Sequence, residues 1–326
     1  VNNTGTNYLS RNPIVYHANR IKGEISSNYF INKMHSVSAG IQYSQDNLEN
    51  GFRGVITDTN TFIIENIRVK NLNTLLKPRE YTIQNNAGIY LLYILNSEFL
   101  RKTNITVGAR YDNNSVYGST FNPRLGLINQ PHEKIKFKFL YGSAFRAPTN
   151  FELTEALPSR IANPDLNPEL IQTYEANIIY TPIKSLSVQT NLFQSDLKDL
   201  IVLALNVDAG KNQNQNLGSA NVKGIETMVN FIPSEKFSAF LNFTYQEGTQ
   251  SDGTTEIPVP NIAKIKGNIG FSLYIADLLN ISLITNWVGD RSVVSTNPLE
   301  KVNEYCISHL VICTNNFFSA RIDALI

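Results

Sequence analysis

Residues Phe137 to Tyr180 read FKFLYGSAFRAPTNFELTEALPSRIANPDLNPELIQTYEANIIY, and this stretch decides the fold. It begins with alternation. Ile135, Phe137, Phe139, Tyr141 and Phe145 fall on one side, Lys136, Lys138, Gly142, Ala144 and Arg146 on the other, with Leu140 and Ser143 as exceptions. A period of two with one apolar side predicts a half-buried strand. Proline cannot donate to a ladder, so the strand is expected to stop at Ala147-Pro148. Four of the chain's 13 prolines (Pro148, Pro158, Pro164 and Pro168) stiffen the loop that follows. Alternation then resumes, with Tyr174, Ala176, Ile178 and Tyr180 against Thr173, Glu175 and Asn177. The unit is a hairpin with a long, rigid connection.

The same pattern extends along the chain. Val15–Asn28 and Lys33–Ser44 read as a hairpin, followed by a largely polar loop from Asp46 to Arg79. Tyr81–Leu95 pairs with Thr103–Asp112, and Phe121–Leu127 turns at Pro131 into the deciding strand. Glu169–Tyr180 turns at Pro182 into Leu186–Leu205, and a loop KNQNQN (Lys211–Asn216) leads to Gly218–Phe231. Phe237–Gln246, Ala263–Leu273, Ile281–Gly289, Tyr305–Cys313 and Phe318–Ile326 complete about 14 strands. Tight turns near Phe30, Ser97, Pro131, Pro182, Pro233, Asp277 and Asn315 alternate with loops after Gln45, Asp112, Ala147, Asn206, Gly248 and Arg291. Tight turns at one end and longer loops at the other are the plan of an outer-membrane barrel. Phe237 to Tyr245 is eight residue steps, or roughly 26 Å at ~3.3 Å each. Tilted by about 40°, that rises ~20 Å, close to the apolar band of such a barrel. The expected fold is all-β, an antiparallel transmembrane β-barrel. A large soluble sandwich alternates in the same way and is the competing fold.

Composition is compatible with this. The 326 residues carry 28 Lys+Arg against 27 Asp+Glu, which offers no polyelectrolyte surface for nucleic acid. The longest apolar run, about Ile89–Leu95, is far short of the ~20 residues of a spanning helix. No G-x-S-x-G nucleophile elbow occurs, and His17, His35, His132 and His309 lack metal-ligand spacing. No catalytic residue, metal site or cofactor is therefore nominated. Cys306 and Cys313 are seven apart. On one strand an odd spacing places them on opposite faces, too far apart to bridge.

Phe145-Arg146-Ala147-Pro148, Asn163-Pro164-Asp165-Leu166-Asn167-Pro168-Glu169 and Tyr174-Glu175 together resemble the FRAP and NPDL-x-PE boxes of TonB-dependent outer-membrane receptors. Gly108-Ala109-Arg110-Tyr111-Asp112 is similar to the family's G-x-R-Y-D strand end. Asn216, Gly218, Ala220, Gly224 and Glu226 are similar to its N-x-G-x-A-x-x-x-G-x-E run. The resemblance implies a 22-stranded barrel of which the chain, residues 1–326, is an internal portion. The plug domain with its TonB-binding box and the terminal hairpin are not recognisable.

It also implies uptake of a scarce, bulky nutrient such as an iron–siderophore complex or cobalamin. The implied partners are outer-membrane lipid, an extracellular small-molecule ligand, and TonB acting through the plug. The interval Thr149–Ala162 has no histidine where haem receptors of the family carry an iron ligand, which points away from haem. Arg146, Asn163, Asp165, Glu169 and Glu175 are candidate ligand-side contacts, or else residues that shape the loop. Phe137, Tyr141, Phe237, Tyr245 and Trp287 are expected to face lipid. A passive porin-like or adhesion barrel without a plug is the alternative function.

Overall fold

The computed structural model describes residues 18–49, 54–58, 61–64, 67–69, 81–97, 102–154, 160–206, 208–275, 279–294, 297–314 and 324–325. The sequence-predicted turns at Asp277 and Asn315, and most of Phe318–Ile326, lie outside these residues. Fourteen strands follow one another in a single antiparallel meander, each paired with the strand next in the series. They are β1 Ala18–Phe30, β2 His35–Glu49, β3 Tyr81–Ser97, β4 Thr103–Asn114, β5 Gly118–His132, β6 Ile135–Arg146 and β7 Glu169–Ile183. After these come β8 Leu186–Asn206, β9 Lys211–Ser234, β10 Phe237–Ser251, β11 Ile265–Ile275, β12 Leu279–Val288, β13 Tyr305–Thr314 and the two-residue β14 Ala324–Leu325.

The register sorts every side chain to one of two faces. Tyr141 lies opposite Tyr174, Phe139 opposite Ala176 and Phe137 opposite Ile178. The same face continues through Leu192 opposite Ile225, Ile225 opposite Tyr245 and Val229 opposite Leu241. It runs on through Phe243 opposite Gly267, and Trp287 stands opposite Gly267 in turn. Phe137, Tyr141, Phe237, Tyr245 and Trp287 all belong to this apolar face. The other face is polar: Lys138, Asn177, Asn191, Glu226, Thr244 and Lys266 form one row across six strands.

Burial runs opposite to that of a soluble protein. Among the described residues only Leu153, Leu166 and Ala263 are buried hydrophobics, whereas Gln84, Asp112, Asn122, Asn177 and Thr244 are buried polar residues. Leu241, Phe243 and Tyr245 are 43%, 40% and 40% exposed. A sandwich would enclose these rings between two sheets; here they form one open apolar surface. The competing soluble fold is thereby excluded.

The exceptions to alternation have a steric cause. Phe240 points to the polar face and lies across Gly270, where a Cβ would come within 2.5 Å of its ring. Tyr90 covers Gly40 in the same way. Leu140 stands opposite Gly126. Large side chains on the polar face thus occupy space left open by a neighbouring glycine.

Several sequence expectations are corrected. The stretch Asp46–Arg79 is not simply a loop: β2 runs on to Glu49, and Gly54–Asp58, Thr61–Ile64 and Ile67–Val69 pair as a small antiparallel sheet. These strands are only three to five residues long, too short for a period of two to stand out, and they pair with one another and not with the main sheet. The connection after Asp112 is only the three-residue turn Ser115–Tyr117, since both flanking strands extend beyond their apolar portions. Lys211–Asn216 is strand, paired with Ile201–Asn206. Asn is depleted in strands on average, and here the Asn and Gln side chains have a particular use, described below. Cys306 and Cys313 are both free thiols on β13, as the odd spacing required.

A lysine in place of Leu241, at the middle of the apolar face, should cost about 2–4 kcal/mol of stability in phospholipid vesicles. The neighbouring Asn242→Lys should cost much less. Urea-dependent folding of both variants checks this, and equal losses would contradict the assignment of faces.

Candidate functional site

On the apolar face Tyr141 and Tyr174 stand opposite each other with their rings 5.0 Å apart. Five residues beyond them, above the apolar band, β6 ends at Arg146 and β7 begins at Glu169, opposite each other in register. The Arg146 guanidinium donates to both oxygens of Glu169, each at 2.5 Å, and to both oxygens of Glu152 at 3.1 Å. Four N–H contacts from one planar group to two carboxylates make a rigid joint, because the fork geometry fixes all three side chains at once.

Glu152 belongs to a short helix, α1 Asn150–Thr154. Thr149 Oγ1 accepts from the Glu152 amide at 3.2 Å, and Glu152 Oε2 accepts from the Thr149 amide at 2.8 Å. This is a reciprocal capping box. The T-x-x-E spacing at Thr149–Glu152 is the sequence mark of this helix start, and the helix is a further correction to the expected loop. Glu169 Oε1 also accepts from the Ile201 amide at 2.8 Å. That bond holds the irregular register of β8 around Leu197–Ile201, where Asp199 takes a positive φ of 57°.

The second box is tied down by β9. Asn163 Nδ2 donates to the Asn214 carbonyl at 2.8 Å, and Asn163 Oδ1 accepts from the Asp165 amide at 3.1 Å. Asn216 Nδ2 donates to the carbonyls of Asn167 and Asp199, while its Oδ1 accepts from the Asn167 amide. Gln213 Nε2 reaches the Ala162 carbonyl and Asn214 Nδ2 the Glu152 carbonyl. Side-chain amides offer both donors and acceptors, so the Asn/Gln run of β9 satisfies loop backbone that has no ladder of its own. Leu153 and Leu166, the largest fully buried side chains among the described residues, lie in the same loop.

The five sequence-nominated contacts therefore separate. Arg146, Asn163 and Glu169 are consumed in holding the loop. Asp165 is exposed, and its carboxylate has no ion-pair partner among the described residues. Glu175 lies six residues along β7 from Glu169, about 20 Å away, and lines a polar-face cleft with Lys138, Asn191 and Glu226. Sequence reading missed Gln213 and Asn214, whose value depends on a strand pairing that no local pattern reveals.

Residues 1–308 match the family described as "TonB dependent receptor-like, beta-barrel". The chain belongs to that family. It is 27% identical over 206 residues to an iron-regulated outer membrane virulence protein of Vibrio cholerae, covering 57% of this chain and 31% of the relative. It is 27% identical over 187 residues to the vitamin B12 transporter BtuB of Vibrio vulnificus, covering 56% and 28%. Among solved structures it resembles the siderophore receptor PirA from Acinetobacter baumannii, with TM-score 0.69, 17% identity, and 93% of this chain covered against 49% of that one. A ferric enterobactin receptor from Pseudomonas aeruginosa gives TM-score 0.70 at 14% identity, covering 93% and 47%. The chain thus spans about a third of these curated relatives and about half of these solved chains. The receptor's place is the bacterial outer membrane, where its apolar face meets lipid and its polar face the lumen.

Burial pushes the Glu152 carboxyl upward, but the bonds from Arg146 and Thr149 together outweigh it, leaving the group below its ordinary 4.5. Glu169 is lowered in the same way by Arg146 and the Ile201 amide, again against burial. Both folded values lie below the unfolded one, so the clamp contributes fully above pH 4.5 and is lost as pH falls through the lowered values. Amide exchange at Thr149 and Ile201 should accordingly be slow at about pH 6 and accelerate towards about pH 3 beyond the intrinsic trend. Arg146→Gln should show the faster exchange already at neutral pH. Unchanged protection in that variant would contradict the clamp.

Proposed function

We propose that this receptor takes up a scarce, bulky nutrient across the outer membrane, an iron–siderophore complex or cobalamin, with the residues here forming barrel wall. The family match over residues 1–308 carries this reading. The names of the relatives support the ligand classes: iron-regulated and vitamin B12 proteins by sequence, siderophore and ferric enterobactin receptors by fold. Energy would come from TonB through a plug domain lying outside residues 1–326, in a barrel of 22 strands. The role of the protein is then transport and not catalysis.

Within this reading the clamped loop sets the shape of the extracellular mouth. Arg146, Glu152 and Glu169 position it, and Asp165 is the member of the motif free to meet a ligand. Glu175 lies lower, on the lumen wall.

Uptake of a labelled ferric siderophore series and of labelled cyanocobalamin, in cells with and without the gene, tests the proposal. One ligand class should be lost on deletion, and also lost when TonB is removed. Uptake that persists without TonB and scales with solute size would instead identify a passive pore. Asp165→Asn should weaken binding of the imported ligand severalfold with the Thr149 amide still protected, whereas Arg146→Gln should disturb both.

A further inference from the structure

Tight turns mark the periplasmic end of the sheet, and each of the five with described residues carries one lysine. Lys33 lies between β1 and β2, Lys102 between β3 and β4, Lys134 between β5 and β6, Lys184 between β7 and β8, and Lys236 between β9 and β10. All five are exposed, and none has a carboxylate within ion-pair distance among the described residues. Only two carboxylates, Glu133 and Glu235, stand among the described residues of these turns. The whole chain is balanced, with 28 Lys+Arg against 27 Asp+Glu, so the excess of cations is local to this rim.

The lysines hold equivalent places. Lys102, Lys134 and Lys236 immediately precede Thr103, Ile135 and Phe237, and Lys33 and Lys184 come two positions before His35 and Leu186. Those five residues are the first on the lipid-contacting face of their strands. Ile135 is opposite Tyr180, Leu186 opposite Phe231 and Phe237 opposite Leu273. His35 and Thr103 lie two and four residues below Val37 and Val107, which join the same face through Tyr93, Leu125 and Tyr141. Bonds between successive hairpins fix the level of the rim. The Asn96 amide donates to the Met34 carbonyl at 2.7 Å, and the amides of Thr181, Ile232 and Tyr274 donate to the carbonyls of Lys134, Ser185 and Lys236, each at 2.8 Å. Neighbouring turns are thereby held two strands apart, roughly 10 Å at ~4.8 Å per strand.

A lysine beside an apolar, lipid-contacting surface can lay its carbon stem on that surface and keep its ammonium among the headgroups. We propose that this rim selects anionic phospholipid headgroups of the periplasmic leaflet, with Lys33, Lys102, Lys134, Lys184 and Lys236 each meeting a lipid phosphate. A zwitterionic headgroup brings its own cation with the phosphate, so the net attraction favours the anionic lipid. The inference rests on the two faces of the barrel wall and not on the uptake reading, so lipid selection and solute transport can fail separately.

The receptor is refolded into vesicles of mixed phosphatidylcholine and phosphatidylglycerol and extracted in mild detergent, and its retained lipids are counted by native mass spectrometry. Phosphatidylglycerol should be enriched over its share of the vesicle, with about fivefold preference at each lysine. The enrichment should weaken in high salt, which screens exposed charges. Lys33→Gln, Lys102→Gln, Lys134→Gln, Lys184→Gln and Lys236→Gln together should remove it, and arginine at the same five positions should keep it. Lys138→Gln, on the lumen face, should leave it unchanged. If the variant with all five glutamines does not refold, Lys184→Gln with Lys236→Gln should remove about two fifths of the enrichment. Enrichment that survives the glutamine substitutions, or that is indifferent to salt, would overturn the proposal. The same holds if those substitutions abolish binding to isolated peptidoglycan and leave the enrichment intact, which would assign the lysines to the cell wall.

Discussion

In hydrocarbon no water is present to satisfy a bare amide or carbonyl, and each one left unpaired costs several kcal/mol. Everything else in this structure depends on that constraint. It permits only strands that pair with their neighbours along their length, and the meander from β1 to β13 does this with each strand hydrogen-bonded to the next. Pairing in register then forces the division of faces, since a slip of one residue would send every side chain to the wrong side. The rows Tyr141–Tyr174–Gln194–Lys223–Glu247 and Lys138–Asn177–Asn191–Glu226–Thr244 are consequences of one alignment.

Above the band the ladder gives out and another device replaces it. The loop between β6 and β7 has backbone groups but few strand partners. Arg146 joins the two strand ends and the helix through two carboxylates, and Asn214 and Asn216 answer loop carbonyls and amides from the side. The FRAP and NPDL boxes are thus halves of one joint. A loop fixed this firmly can present Asp165 at a defined place, which is what selective binding at a barrel mouth requires.

The sheet was legible because alternation over twelve or more residues is a strong signal, and its failures at Phe240 and Leu140 are answered by glycines on neighbouring strands. The motif residues were legible as a group but not by role. No property of Arg146 or Asn163 alone separates a ligand contact from a structural tie, and the distinction came from partners 23 and 51 positions away. The polar strand segment Lys211–Asn216 was illegible for a physical reason: away from lipid, a strand need not alternate apolar with polar. The small sheet after Glu49 was illegible because its strands of three to five residues are too short to show a period.

The central claim is that alternation divides lipid-facing from lumen-facing residues, and the chain's only tryptophan tests it directly. Trp287 is placed on the lipid-facing side by its register with Gly267. With the receptor in vesicles of dibrominated phosphatidylcholine, its emission should be blue-shifted and strongly quenched, and aqueous iodide should have little effect. Quenching by iodide with no response to the brominated chains would place Trp287 in the lumen and overturn the register on which this account stands.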